Sequence, residues 1–507
     1  MTKVIYVPLD ERNCNLKMPV RIGAAVGLEV LTPSEEIVGQ YKMQSDADAV
    51  WEWLLKNAKE CQYAVLSLDM LVYGGLLRSR RHHSDVQECY ERLDRIRQLR
   101  EENPQLKIFV FMLIMRTSNS NSSSEEPEYW EKYGKNIWST GYLSDKKSRT
   151  GLDEAEENEL KSLEGVIPAE FINDYTGRRK VNLAVNLRVL DMLSCGFIDE
   201  LVIPKDDNSE FGYSTKDNET ILTEVMRLGI GNKVMIYPGA DEVGSTLIAR
   251  IINRISKTKP HVFVCYSSTF GSQIIAKYED RPINESIKCQ ILSAGCITVD
   301  NSEEADIVLM VNTPGIKMLE CYEQTAFDHG YSNFRNLREF VERIKYYTQK
   351  GKHCAVADIA YCNGSDNELV ELLMSENLID KIVAYGGWNT AANTLGVVIS
   401  QAVAAHYSGN VSIRDNARLF NILIYKVVED WAYQANVMID VVSGIMASGV
   451  ADCYALGVSA DSVADEICTK LNDFTGRHFS DVGKVSVSAF RLPWGRTFDI
   501  DFDLSIE

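Results

Sequence analysis

Two adjacent carboxylates, Asp241 and Glu242, close the turn in IYPGADEVGSTL, residues 236–247. The run Val234, Met235, Ile236, Tyr237 reads as a buried strand entering a Pro-Gly-Ala turn, and the acids follow at once. Like charges at short range raise each other's cost of ionisation. One carboxyl can then stay protonated while its neighbour is ionised, the combination that general acid catalysis requires. A plainer reading stays open, because acids favour helix starts and VGSTLIARIINRI follows with helical periodicity. A second pair, Asp206-Asp207, ends another apolar run in IPKDDN. With Asp358, these four acids form an oxygen-rich set that would also suit Mg²⁺ or Mn²⁺, so a divalent-metal-dependent hydrolase or phosphotransferase is the rival reading. No G-x-x-x-x-G-K-[ST] phosphate loop occurs, and no cofactor is expected.

YGGWNTAANTLG (385–396) is the other dense segment. Trp388 after two glycines offers a flat apolar face of the kind on which sugar rings stack. Asn389, Thr390 and Asn393 could read hydroxyls, or could cap a helix. Single polar groups end further apolar runs: Asp10, Glu11 and Arg12 in VPLDERN, Asp69 and Tyr73 in SLDMLVYGG, Arg116 in IMRTS and Asn363 in YCNGSD. The expected substrate contacts around a catalytic Asp241–Glu242 pair are Asp10, Asp69, Tyr73, Arg116, Asp206, Asp207, Asp358, Asn363, Trp388 and Asn389, although each single polar group also reads as a structural hydrogen bond or ion pair. A non-catalytic sugar-binding protein would use the same surroundings without the acid.

Ten Val-, Ile- and Phe-rich runs carry these residues, at 3–11, 28–35, 62–75, 107–120, 199–208, 233–242, 261–269, 305–315, 353–364 and 381–390. Helical patterning lies between many of them. Strands apolar on both faces and alternating with helices imply a parallel sheet. The polar residues cluster at the C-terminal ends of the runs, where parallel α/β folds bind ligands. The expected fold is α/β, a (β/α) barrel or barrel-like parallel sheet with a mostly helical C-terminal region; two doubly wound domains are the alternative. Residues 1–410 are assigned to the α/β catalytic domain, with 116–175 as an insertion or lid. Residues 411–507 form the helical region, ending in a short β element.

The chain has 507 residues, 45% hydrophobic and 25% charged, and a formal net charge of -19. That charge argues against nucleic acid or anionic membranes as partners. A small carbohydrate substrate is compatible with it, and a homo-oligomer is open. The N-terminus lacks signal-peptide organisation, and no apolar run reaches the roughly 20 residues of a membrane span. The 12 scattered cysteines include no C-x-x-C and read as reduced thiols, so a cytoplasmic location is expected. His82-His83, in the charged segment RSRRHHSD, reads as solvated rather than metal-ligating.

Two resemblances follow from these motifs. The turn ending in Asp-Glu resembles the active-site signature of retaining β-N-acetylhexosaminidases. It implies substrate-assisted hydrolysis of N-acetylated hexosamine glycosides, with Glu242 as the acid and Asp241 orienting the acetamido group. VPLDERN, SLDMLVYGGLLRSR, PKDDNSEFGY, PGADEVG, ADIAYCNGSD and YGGWNTAANTLG together resemble a family of bacterial proteins catalogued only as a domain of unknown function. That family's opening looks like PLDERPVN, whereas Asn13 and Cys14 stand here where proline and valine are expected. The resemblance implies no mechanism.

Overall fold

A computed structural model describes the chain apart from residues 42, 44, 410, 411, 450 and 451; the boundary expected at 410/411 falls outside the described residues. All ten apolar runs contain strands, and they divide into two open parallel sheets. Sheet one holds β1 (Lys3–Val7), β2 (Glu29–Leu31), β3 (Tyr63–Ser67), β4 (Lys107–Phe111), β5 (Glu200–Lys205) and β6 (Val234–Pro238) in the order β2-β1-β3-β4-β5-β6. Sheet two holds β7 (His261–Tyr266), β8 (Ile297–Thr298), β9 (Ile307–Asn312), β11 (His353–Asp358) and β13 (Ala384–Gly386) in the order β13-β11-β9-β7-β8. The two-residue strands β10 (Leu319–Glu320) and β12 (Tyr361–Cys362) pair beside sheet two. Each sheet has the doubly wound order, in which the second strand lies outside the first and the chain then crosses to the other side. The expected α/β fold and parallel sheet are present. The closed barrel is replaced by the doubly wound alternative, because β6 and β7 lie in different sheets.

Sheet one is buried on both faces, as its apolar runs require. Val4, Tyr6, Val65, Phe109 and Val202 face a large core that continues into sheet two. Ile5, Ala64, Leu66, Ile108, Val110 and Leu201 alternate to the opposite face and a separate core. Helices Val243–Ser256 and Ala391–Tyr407 pack on each other within the shared core. Segment 116–175 contributes helices Trp130–Arg149 and Glu154–Ser162 and the start of Ala169–Ser194, with a small core of its own around Met115, Trp130, Ile137 and Tyr175.

After residue 411 the chain is mainly helical and ends in an antiparallel pair, β14 (Val485–Arg491) with β15 (Asp501–Ile506). A ten-residue π-helix, Val428–Val437, is buried there. Among the described residues no helix is long and apolar enough to cross a membrane. All 12 cysteines are free thiols.

Candidate active site

Ligands of doubly wound folds bind beyond the C-terminal strand ends, at the point where strand order reverses. In sheet one that point lies between β1 and β3, and Asp10 and Arg12 follow β1 directly. The Arg12 guanidinium is buried and donates to Asp10 Oδ2 (2.7 Å), Asp241 Oδ1 (2.5 Å) and Asp499 Oδ1 (3.5 Å). Asn15 Nδ2 donates to both Asp10 and Asp241 at 3.0 Å. Asn389 Nδ2 reaches Asp241 Oδ2, also at 3.0 Å. The Trp494 ring is sandwiched between Arg12 and Arg496, 4.4 and 4.5 Å from its centroid, and its Nε1 donates to Glu11 (2.7 Å).

Arg496 links this cluster to a second one. It holds Asp499 and, at 2.5 Å, Glu125. Glu125 also accepts from Arg80 (2.6 Å) and Arg116 (2.9 Å). Arg80 holds Asp206 at 2.5 Å, and Arg116 holds Asp207 and Glu126, both at 2.7 Å. One ion network therefore joins the loops after β1, β4, β5 and β6 to the insertion and to the segment before β15. The insertion lies over the strand ends and supplies Arg116, Glu125 and Glu126.

The network separates the acidities of its carboxyls. Burial favours the neutral form of Glu125, but Arg116, Arg496 and Arg80 outweigh it and hold the group well below the usual carboxylate range. Burial raises Asp207 to about 6, against the pull of Arg116 and with the push of Asp206. Burial and the Asp10 charge raise Glu11 to about 7. Asp207 has the most open carboxyl on Arg116, its side chain 28% exposed.

Sheet two meets this edge. Asn208 N donates to Tyr278 O (2.9 Å). Tyr278 OH, Lys277 Nζ and Asn363 Nδ2 converge on Glu320, at 3.0, 3.0 and 2.9 Å. Asn363 N donates to Asn389 O (3.0 Å). Tyr278, Asn363 and Asn389 all have left-handed backbones, with φ of 67°, 64° and 68°. Such conformations are costly outside glycine and collect at functional sites.

Of the residues singled out by sequence, Asp10, Arg116, Asp206, Asp207, Asp241 and Asn389 belong to the network, and Asn363 sits at its edge. Five are placed elsewhere. Glu242 is fully buried and turns away from Arg12, accepting from Ala240 N (2.9 Å) and Gln290 Nε2 (2.8 Å). Gly396 of helix Ala391–Tyr407 approaches so closely that an added Cβ would lie 2.2 Å from Glu242 Cγ. Asp241 and Glu242 thus diverge, and the helix-start reading describes Glu242, which immediately precedes helix Val243–Ser256. Trp388 is only 7% exposed and packs against Phe498. It lines a cavity of about 20 Å³ with Asp241, Glu242 and Lys426, room for about one water and none for a sugar ring.

Tyr73 is buried against His82, their rings stacked at 4.5 Å. The run SLDMLVYGG turns helical at Leu68, where Ser67 Oγ caps Met70 N (3.3 Å), so Tyr73 does not end a strand. His82 is likewise buried, its Nε2 2.7 Å from Asn182 Oδ1. Asp358 belongs to a separate network at the end of sheet two, accepting from Asn312 Nδ2, Asp366 N and Tyr385 OH. Asp69 is buried beneath the site, where it accepts from Leu113 N (3.0 Å), and burial raises it to about 7.

Sequence reasoning missed Arg80, Glu125, Glu126, Trp494, Arg496 and Asp499, which lie in loops without periodic pattern. The only local signals were RSRRHH, SSSEEPE and LPWGRTFD. Among the described residues no group of three or more His, Cys, Asp and Glu side chains is placed to hold a metal ion. Arg12, Arg80, Arg116 and Gln290 occupy the oxygens of the acids at 241, 206, 207 and 242.

No curated protein matches the chain. Residues 4–503 match the model of a family described as "Protein of unknown function (DUF4127)". That match spans nearly the whole chain, both sheets and the C-terminal segment that completes the ion network, and the protein belongs to this family.

Proposed function

We propose that the protein is a glycoside hydrolase whose reacting bond lies beside Asp207, where the loop after β5 meets sheet two. One observation carries the reading. Arg116 holds two carboxyls, Asp207 and Glu125, whose environments push their acidities apart. Glycoside hydrolysis needs such a pair: a protonated acid for the leaving oxygen and an ionised carboxylate facing the oxocarbenium-like transition state. Asp207 takes the first role and Glu125 the second. Asp241 acts indirectly, by fixing Arg12. A neutral glycoside is the substrate class, with N-acetylated hexosamine glycosides included in its test, since Glu242 does not face the site as a hexosaminidase acid would.

A panel of nitrophenyl glycosides, assayed with and without EDTA, tests the proposal. Asp207→Asn should slow substrates with poor leaving groups by roughly 100- to 10,000-fold and activated nitrophenyl substrates far less. Absence of hydrolysis across the panel, turnover abolished by EDTA, or an Asp207→Asn variant with unchanged rates would overturn it.

A further inference from the structure

Beside Asp207 lies a hollow that the ion network does not use. Helix Trp130–Arg149 of the insertion forms one wall and the loop after β5 the other. Trp138 and Tyr142, one helical turn apart, stack with ring centroids 4.9 Å apart and an interplanar angle of 18°. Both are only partly buried. Phe211 backs Tyr142 edge-on at 5.5 Å. Gly212, at φ +124°, lets the loop pass close to the helix, and Asp145 accepts its N–H (2.8 Å).

The polar side of the hollow is unfinished. Asn208 is 9% exposed. Its Nδ2 is taken by Lys205 O (3.1 Å), while its Oδ1 has no donor among the described residues. A buried acceptor without a partner is destabilising, so a ligand hydroxyl entering the hollow gains there. The Asp207 carboxyl, held on one side by Arg116, lines the same hollow. An aromatic platform beside an unpartnered acceptor suits a neutral ring with an apolar C–H face and a rim of hydroxyls. The enclosed space is about 10 Å³, so such a ring lies across the mouth of the hollow, on Trp138.

We infer that this hollow is a second sugar subsite, and that the substrate is an oligosaccharide extending from Asp207 onto Trp138 and Asn208. The inference rests on the hydrolase reading for its position along the substrate, but its own test is binding. Affinity of the full chain for β-linked glucose and N-acetylglucosamine oligosaccharides, from mono- to tetrasaccharide, is measured by calorimetry.

Affinity should rise with chain length. Trp138→Ala and Asn208→Ala should each remove about ten- to a hundredfold of that rise and leave monosaccharide binding unchanged. Trp138→Phe should keep most of it. Length dependence that survives in both alanine variants, or wild-type affinity that does not grow with length, would overturn the subsite. So would tetramethylammonium competing fully with the tetrasaccharide, since that would mark a cation site. Hydrolysis of nitrophenyl monosaccharides does not use the hollow and separates the two claims. Trp138-dependent binding without hydrolysis would sink the hydrolase reading alone; hydrolysis without Trp138-dependent binding would sink the subsite alone.

Discussion

Glu242→Gln is the perturbation that most directly tests how the acidic turn is built. Burial raises the Glu242 carboxyl from 4.5 to about 7, against the hydrogen bonds from Gln290 and Ala240 N. The folded chain therefore holds this proton more tightly than the unfolded chain does. Between about pH 4.5 and 7 the native state binds more protons, so this group's contribution to stability falls as pH rises. It is fully present below 4.5 and lost above about 7. The displacement corresponds to about 3 kcal/mol. Glutamine keeps the shape and cannot ionise. Its amide meets the donors on Ala240 and Gln290 less well, which gives a constant offset independent of pH.

Urea unfolding of both proteins from pH 4.5 to 8 reads the difference, in which the other carboxylates cancel. The variant should gain about 3 kcal/mol relative to the wild type across that range, most of it before pH 7. Parallel curves would refute the buried, neutral Glu242. A collapse in turnover of substrates with poor leaving groups, with stability curves unchanged, would return the general acid to Glu242.

Three other perturbations separate support from chemistry. Arg12→Met strands Asp10 and Asp241 without their shared cation and should cost about 3–5 kcal/mol in urea unfolding; a cost below about 1 kcal/mol would show the cluster to be solvated. Trp388→Phe should cost less than about 1 kcal/mol, because its Nε1 has no partner among the described residues, whereas Trp388→Ala should cost about 3–5 kcal/mol. Equal costs, or weakened sugar binding in the phenylalanine variant, would make Trp388 a ligand platform. Asp358→Asn places an amide against three donors and should cost about 1–3 kcal/mol without changing nitrophenyl turnover; a selective loss of turnover would join sheet two's network to the site.

The strands were readable because parallel strands are apolar on both faces, and each of the ten runs contained one. Whether they close was not readable. Alternating strands and helices look alike in a barrel and in two doubly wound sheets, and the choice lies in the helix packing of Val243–Ser256 on Ala391–Tyr407. β8, β10 and β12 have two residues each, too few for a pattern. Asp10, Arg116, Asp206, Asp207 and Asp241 were readable because they follow strands directly. Their partners Arg80, Glu125, Arg496 and Asp499 were not, since nothing local marks a loop residue that pairs across the chain. Trp388 misled for the same reason: the two glycines before it suggest an open turn, and its covering residues, Lys426 and Phe498, are distant in sequence.

Arg12 and Asp499 are 487 positions apart, and that separation has a consequence during synthesis. At 5–20 residues per second, Arg12 leaves the ribosome roughly half a minute to a minute and a half before Asp499 does. Arg496, which helps to keep Glu125 ionised, arrives equally late. Until then the nascent chain has both sheets available but lacks Arg496, one of the three cations that act on Glu125. The bonds that close the ion network are therefore made last, after both sheets have been synthesised, so a chain clipped before Arg496 loses the cation that joins Asp499 to Glu125.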